Sequence, residues 1–410
     1  MTTYKQAAED GFKKLVDLWN HAKPFEATNG GCFWMCGNTL HVALDYLIAV
    51  QQHDTYNLIE DAFTLFDKKV TEPDPKKWYQ GEIWVDDYGW WGIALTKAYT
   101  FAETLGYNDS LKNKLREYAT NCWIGLHTAW DPSVMENDDS NVRISGGIWN
   151  YNKSPQPLYG RNCVTNEVYW LLCQDLSVAI GNQFMDPSTD EAVWFSQAMA
   201  SKVLFDDNKL VLERFKGSQP AGVEGYNWLG DQGLFLYGCY RNSEKRQSEE
   251  DDQGEDHEKH SDPKAPDLNL TQAEATIQAV SVHKTTNKVL SEPLFSDPNF
   301  YVDYAGGKGI FIRNLGYLNN NSHAGKPLPR YDEWIMDNAA AVWNNRLSNG
   351  KFHYWWERKQ DEKGIDWRYP QVVVDAVLHA SGQSALTACI PYMENQTIPT
   401  TASDASAGAS

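Results

Sequence analysis

The chain lacks any run of about 18 consecutive apolar residues, so it offers no helix able to span a hydrocarbon core, and no membrane role is expected. Basic residues are scarce: Lys and Arg number 36 against 55 Asp and Glu, a formal charge of −19 over 410 residues. A phosphate backbone needs a basic face, and this acidic field repels one, which excludes nucleic acid as a partner. The seven cysteines, scattered from Cys32 to Cys389, are odd in number and form no disulfide framework; buried thiols are expected. Cys32 and Cys36 lack a matching Cys or His pair nearby, so neither zinc nor any other cofactor is expected. Met1 to Asn20 is polar and amphipathic, without the short apolar core of a secretion signal, and a cytoplasmic location is expected unless another route exports the chain.

Aromatic residues are in excess, with 17 Trp, 21 Tyr and 15 Phe. Broad rings lose little conformational entropy on ordering and stack well on flat apolar ligand faces such as sugar rings, although they also fill gaps between helices. Helical periodicity dominates the rest. Phe12, Leu15, Val16 and Trp19 follow i, i+3, i+4, i+7, as do Leu40, Ala43, Leu44 and Leu47, then Ile59, Ala62, Phe63 and Phe66, then Ala98, Phe101, Ala102 and Leu105. Continued along the chain, the pattern predicts about twelve helices, near 3–20, 37–52, 55–69, 87–105, 109–128, 162–181, 187–204, 228–241, 268–281, 300–317, 331–346 and 370–387, and almost no strand. Helix pairs joined by long connections rich in Gly, Trp and Asn suggest an all-α (α/α)6 barrel with loops crowding one mouth. No interior stretch reads as a linker, so residues 1–396 are expected to form a single domain. Ser248 to Pro263 is dense in acidic residues and has no apolar one, which predicts a solvated, mobile loop; residues 397–410 are expected to fray.

The candidate chemistry centres on Trp84-Val85-Asp86-Asp87-Tyr88-Gly89-Trp90-Trp91, where a loop is expected to enter a helix. An isolated Asp-Asp is ordinarily a helix cap with a solvated partner. Flanking Trp84, Trp90 and Trp91 change that expectation, because partial desolvation and the charge on the first Asp would raise the pKa of the second, giving one nucleophile and one proton donor. A retaining glycosidase needs two carboxyl groups about 5 Å apart, a separation consecutive residues at a helix start can reach. Elsewhere, Asn162 is placed to cap a helix, Lys308 and Arg313 to anchor one through ion pairs, and His379 to serve as a satisfied structural residue. The glycines Gly306, Gly307 and Gly309 are followed by no Gly-Lys-Ser/Thr and are no phosphate loop.

These blocks resemble glycoside hydrolase family 76, the endo-α-1,6-mannanases, together with related fungal cell-wall proteins. The resemblance lies in Phe33-Trp34-Met35-Cys36-Gly37-Asn38-Thr39, similar to the Trp-rich block ahead of the family's second helix, and in Asp86-Asp87-Tyr88-Gly89-Trp90-Trp91-Gly92-Ile93-Ala94, similar to its Asp-Asp-x-x-Trp-Trp hallmark. It continues through Gly146-Gly147-Ile148-Trp149, Arg161-Asn162-Cys163-Val164-Thr165-Asn166-Glu167 and Lys308-Gly309-Ile310-Phe311-Ile312-Arg313. The family's Tyr-Asn-Gln-Gly stretch is expanded here to Tyr226-Asn227-Trp228-Leu229-Gly230-Asp231-Gln232-Gly233. The resemblance implies an (α/α)6 barrel, a retaining mechanism without metal, Asp86 as nucleophile and Asp87 as general acid/base. It further implies that Trp34, Asn38, Trp90, Trp91, Trp149, Asn162, Tyr226 and Gln232 contact the substrate, a mannan-type polysaccharide or oligosaccharide bound by a monomer.

Four other readings compete. A hydrolase of another α-linked glycan could use the same barrel with altered subsites. Sugar 2-epimerases need paired histidines, and the chain has few outside the acidic tract. A glycan-binding or cell-wall assembly protein could dispense with a carboxylate, yet both Asp86 and Asp87 are present; a prenyl cyclase would need a longer Asp-rich pattern for Mg²⁺.

Overall fold

The helical periodicity is realised as thirteen α-helices among the described residues of the computed structural model. Those residues are 2–22, 32–137, 142–150, 161–215, 226–252, 268–295, 301–320, 331–359, 365–393 and 396–399. The helices are α1 (Tyr4–Ala22), α2 (Phe33–Ala49), α3 (Leu58–Lys69), α4 (Val85–Thr100), α5 (Asp109–His127), α6 (Cys163–Ala179), α7 (Met185–Ala200), α8 (Leu229–Asp252), α9 (Leu270–His283), α10 (Tyr301–Ala305), α11 (Gly307–Asn320), α12 (Asp332–Asn344) and α13 (Gln371–Met393). Two short 3-10 turns, Pro75–Gln80 and Asn182–Phe184, accompany them, with two small antiparallel pairs, β1 (Val134–Asn137) with β2 (Val142–Ser145) and β3 (Thr285–Thr286) with β4 (Val289–Leu290). No helix among the described residues is long and apolar enough to cross a membrane.

The contacts divide into two compact units. The first comprises Met1–Ala62, Thr104–Gly106 and Lys284–Ser410, and in it α13 is the central element, touching α1, α2, α10, α11 and α12. Its core is built from residues such as Leu40, Leu44, Ile310, Ile312 and Leu386, all fully buried. His379 lies there with no exposure, stacked on Phe352 with ring centroids 4.2 Å apart. Phe352 N donates to its Nδ1 and its Nε2 donates to the Gly11 carbonyl, so the ring is held neutral; burial lowers its pKa to about 4. It is the satisfied structural histidine the sequence suggests.

The second unit comprises Phe63–Glu103 and Tyr107–His283, with α4 against α5 and α6, and α6 in turn against α7 and α8. Gly89 and Gly92 explain the closeness of α4 to α6, since a Cβ at Gly89 would stand 2.4 Å from Val168 Cγ2 and one at Gly92 2.6 Å from Leu172 Cδ2. The glycines of the Asp-Asp-Tyr-Gly-Trp-Trp-Gly block thus set the depth at which the carboxylates sit against the neighbouring helix.

Several expectations need correction. The helix expected near 300–317 is two helices, broken at Gly306. The Trp-rich block lies within α2, not ahead of it, because the helix starts at Phe33 although Cys32 supplies no side-chain cap. The first residues of the acidic tract, Ser248 to Asp252, extend α8 as helix rather than loop, and residues 253–263 lie outside the described residues. Of the tail expected to fray, residues 397–399 are ordered. Thr397 bridges Thr3, Ile398 N donates to the Thr2 carbonyl at 2.9 Å and the Ile398 side chain is buried, while 400–410 lie outside the described residues. All seven cysteines are buried, as expected.

Candidate active site

The N-terminus of α4 begins at Val85, preceded by Trp84 in an extended conformation that offers no side-chain cap. Its first N–H, on Val85, donates instead to the Asn150 carbonyl at 2.9 Å. Asp86 and Asp87 follow in the first turn, where the helix dipole favours negative charge. Asp87 is 4% exposed. Asp86 is half-buried, yet its Oδ1 is sealed from solvent and has no hydrogen-bond partner among the described residues. Burial pushes the Asp86 carboxyl up to about 7, helped by the charge of Glu213 and opposed by Arg214 and by the backbone N–H groups of Asp86 and Asp87.

The aromatic surroundings also differ from expectation. Trp84 is 45% exposed, whereas Trp90 and Trp91 are interior. Trp91 stands edge-on to Phe66 at 5.4 Å and is a core residue, with no face left for a sugar. Trp90 meets Trp228 edge-on at 6.4 Å. Asn162 caps α6, its Oδ1 accepting from Thr165 N and Thr165 Oγ1. Gln232 is fully buried and its amide is spent on backbone, accepting from Val211 N and donating to the carbonyls of Val211 and Trp228. Both side chains serve the scaffold here. Tyr226 is half-buried, and its carbonyl accepts from Glu213 N at 2.8 Å, tying it to the residue whose charge reaches Asp86. Trp149 is half-buried; its indole N–H donates to Asp131 Oδ2 at 2.9 Å and the Arg161 guanidinium lies 5.0 Å from its ring.

Two residues expected at the site belong to the first unit. Trp34 donates its indole N–H to Asp303 at 3.1 Å. One helical turn further along α2, Asn38 is 5% exposed and its Oδ1 has no hydrogen-bond partner among the described residues. In the same unit Arg313 lies 3.9 Å from Asp45, the expected ion pair, whereas Lys308 donates to the Tyr354 carbonyl and lies 4.0 Å from the Tyr354 ring centroid.

Sequence reasoning misses a second carboxyl cluster in the second unit. Glu167 on α6 and Asp231 on α8 are both fully buried, and the charge of Asp231 acts on Glu167. Burial first, then Asp231 and Glu213, hold the Glu167 carboxyl well above the ordinary range, so the pair keeps a proton. Both residues lie inside the quoted motif blocks, but no local spacing reveals that two helices bring them together. Among the described residues no group of three His, Cys, Asp or Glu side chains could hold a metal ion.

Compared with solved structures, the chain is similar to the GH76A α-1,6-mannanase from Salegentibacter sp. HEL1_6, with a TM-score of 0.61 and 15% identity over 94% of this chain and 98% of that one. It is also similar to an inactive variant of that mannanase, in which two consecutive aspartates are asparagine, in complex with α-1,6-mannotriose; the TM-score is 0.62 and the identity 15%, over 95% of this chain and 99% of that one. Dfg5 from Chaetomium thermophilum, in complex with glucosamine, gives a TM-score of 0.59 and 14% identity over 96% of this chain and 92% of that one. No protein-family model and no curated protein sequence matches the chain. The likeness shows the fold: it is the all-α barrel class expected from the periodicity, and the chain resembles glycoside hydrolase family 76 in it.

Proposed function

We propose that this chain is a retaining glycoside hydrolase cleaving α-1,6-mannosidic linkages within a mannan-type polysaccharide. The observation that carries the reading is the pair of consecutive carboxylates in the first turn of α4, one of them with a sealed oxygen that no described donor satisfies. It is supported by the shared fold and by the inactivity of the similar mannanase once two consecutive aspartates become asparagine. In the first half-reaction an Asp86 oxygen bonds to the sugar C1 as the C1–O bond breaks, and Asp87 passes its proton to the departing oxygen. In the second, Asp87 takes a proton from water, the water oxygen bonds to C1, and Asp86 leaves as carboxylate. Asp86 attacks only when ionised, and burial holds it up at about 7, so the acidic limb of kcat/KM for the free enzyme is expected near that pH rather than near 4.

The test incubates the protein with yeast α-mannan, dextran, arabinan and rhamnogalacturonan and reads products by size and anomer. Expected are mannose oligomers of retained α configuration. Asp86→Asn is expected to abolish turnover, whereas Asp87→Ala is expected to give a burst with an activated aryl mannoside and faster release with azide. Products from another glycan alone would keep the carboxylate pair and change the substrate. Inverted products, or no product from any polymer by folded protein, would overturn the reading.

A further inference from the structure

Arg161 is 1% exposed and spends its guanidinium on four acceptors. Nη1 donates to the carbonyls of Ser133 and Gly146, at 2.9 and 2.7 Å, one on each side of the β1–β2 hairpin. Nη2 donates to the Asp131 carboxylate and to Ser133 Oγ. Asp131 in turn accepts from the Ser133 N–H and from the Trp149 indole, and Trp149 lies beneath the guanidinium. Burial opposes the Asp131 charge, but the donors of Ser133 and Trp149 and the charge of Arg161 overcome it and hold the carboxyl at about 2, so it stays ionised at working pH. The backbone is tied as well, with Asp131 N donating to the Gly147 carbonyl and Trp149 N to the Ala129 carbonyl.

The residue after Trp149 is Asn150, whose carbonyl receives the Val85 N–H at the start of α4, one residue before Asp86. A helix start leaves orphan N–H groups, and here Trp84 supplies no side-chain cap. The Asn150 carbonyl therefore fixes where the first turn of α4 begins, and its own position is fixed by Trp149.

We propose that Asp131, Arg161 and Trp149 form a positioning clamp for the catalytic turn, acting on Asp86 through the Trp149–Asn150 backbone and the Val85 N–H. The inference rests on the reading of Asp86 as nucleophile. A merely structural staple would affect melting alone; a clamp also sets how deeply Asp86 is buried, and therefore its titration. The charged groups that act on Asp86 there are Glu213 and Arg214, with Asp87 adjacent in the chain.

Two variants test it in the full chain. Asp131→Asn keeps the side chain's shape and removes the charge opposite Arg161. Trp149→Phe keeps a ring beneath the guanidinium and deletes only the indole donor, so it is the variant expected to fold like wild type. Carbon-13 carboxyl titration, with Asp86→Asn to assign the signal, reads Asp86 without any substrate. Expected in both is a lower Asp86 titration midpoint, by about half a unit or more in Asp131→Asn, as the loosened turn hydrates. Expected alongside is a fall in kcat of about tenfold with KM held within about threefold. Unchanged Asp86 titration in both folded variants, whatever their melting, overturns the clamp. Wild-type turnover of mannan with an unchanged variant kcat overturns it as well. A moved titration in a wild type that cleaves no glycan upholds the clamp and overturns the glycosidase reading instead.

Discussion

Asp86 meets two opposed demands: attack on a sugar requires the carboxylate, while its enclosure favours the neutral acid. The folded-state pKa of about 7 lies above the ordinary 3.8, so the fold binds the proton more tightly than the unfolded chain does. Its stability contribution is therefore complete below about pH 4, declines between 4 and 7, and is lost above 7. Asparagine cannot ionise and keeps nearly the same shape. Asp86→Asn should consequently be more stable than wild type at pH 8, by roughly 1–3 kcal/mol, with the gap closing at pH 5; thermal melts at the two pH values check it. Equal melting at pH 8 would show that ionised Asp86 is not strained by its surroundings. The adjacency of the two carboxylates is legible in the sequence because it is local. The raised pKa of Asp86 is not, since it follows from burial first and then from the charge of Glu213, a residue far along the chain that only folding brings near.

At the scale of elements, what the sequence conveys depends on whether a helix has a polar face. α1 and α3 alternate apolar and charged residues, and their boundaries are read to within a few positions. α2 is apolar nearly all round from Phe33 to Leu47, so no stripe marks its start, and without a capping side chain its first turn is taken for loop. α8 fails for the opposite reason: its last turns are strong helix formers with no apolar residue, and a pattern reading sees only charge. Gly309 shows a third kind of information, legible only from packing. It lies on α11 against α13, where an added Cβ would stand 2.5 Å from Ser381 Cα and 2.8 Å from Ser381 O, and its N–H donates to Ser381 Oγ. Both close atoms are backbone and cannot rotate away. Gly309→Ala is expected to destabilise the protein by about 1–3 kcal/mol, read as a lower denaturant midpoint with unchanged slope. An unaltered midpoint would mean that the two helices have room to separate.

At the scale of the whole molecule, a fold shared at 15% identity must be specified by helical period and packing depth more than by particular side chains, which is why composition and periodicity suffice for the class while the burial of individual residues such as Trp91 and Gln232 is not legible in them. The net charge of −19 acts at this same scale, since it belongs to the summed field rather than to any one contact. A neutral polymer such as unmodified mannan feels no net force in that field. An acidic polymer of the same backbone, such as a phosphorylated mannan, is repelled on approach, and the repulsion extends only about a Debye length, roughly 30 Å at 0.01 M salt and 8 Å at 0.15 M. If the chain cleaves mannan, kcat/KM on neutral mannan should stay within about twofold between 0.01 and 0.15 M NaCl, while on the phosphorylated polymer it should rise severalfold as salt screens the approach. The change should fall on kcat/KM and leave kcat at saturation nearly constant, because the field opposes encounter and not chemistry. A parallel rise on both polymers would assign the salt effect to the protein itself, and a fall on the acidic polymer would reveal a basic subsite that the net charge conceals.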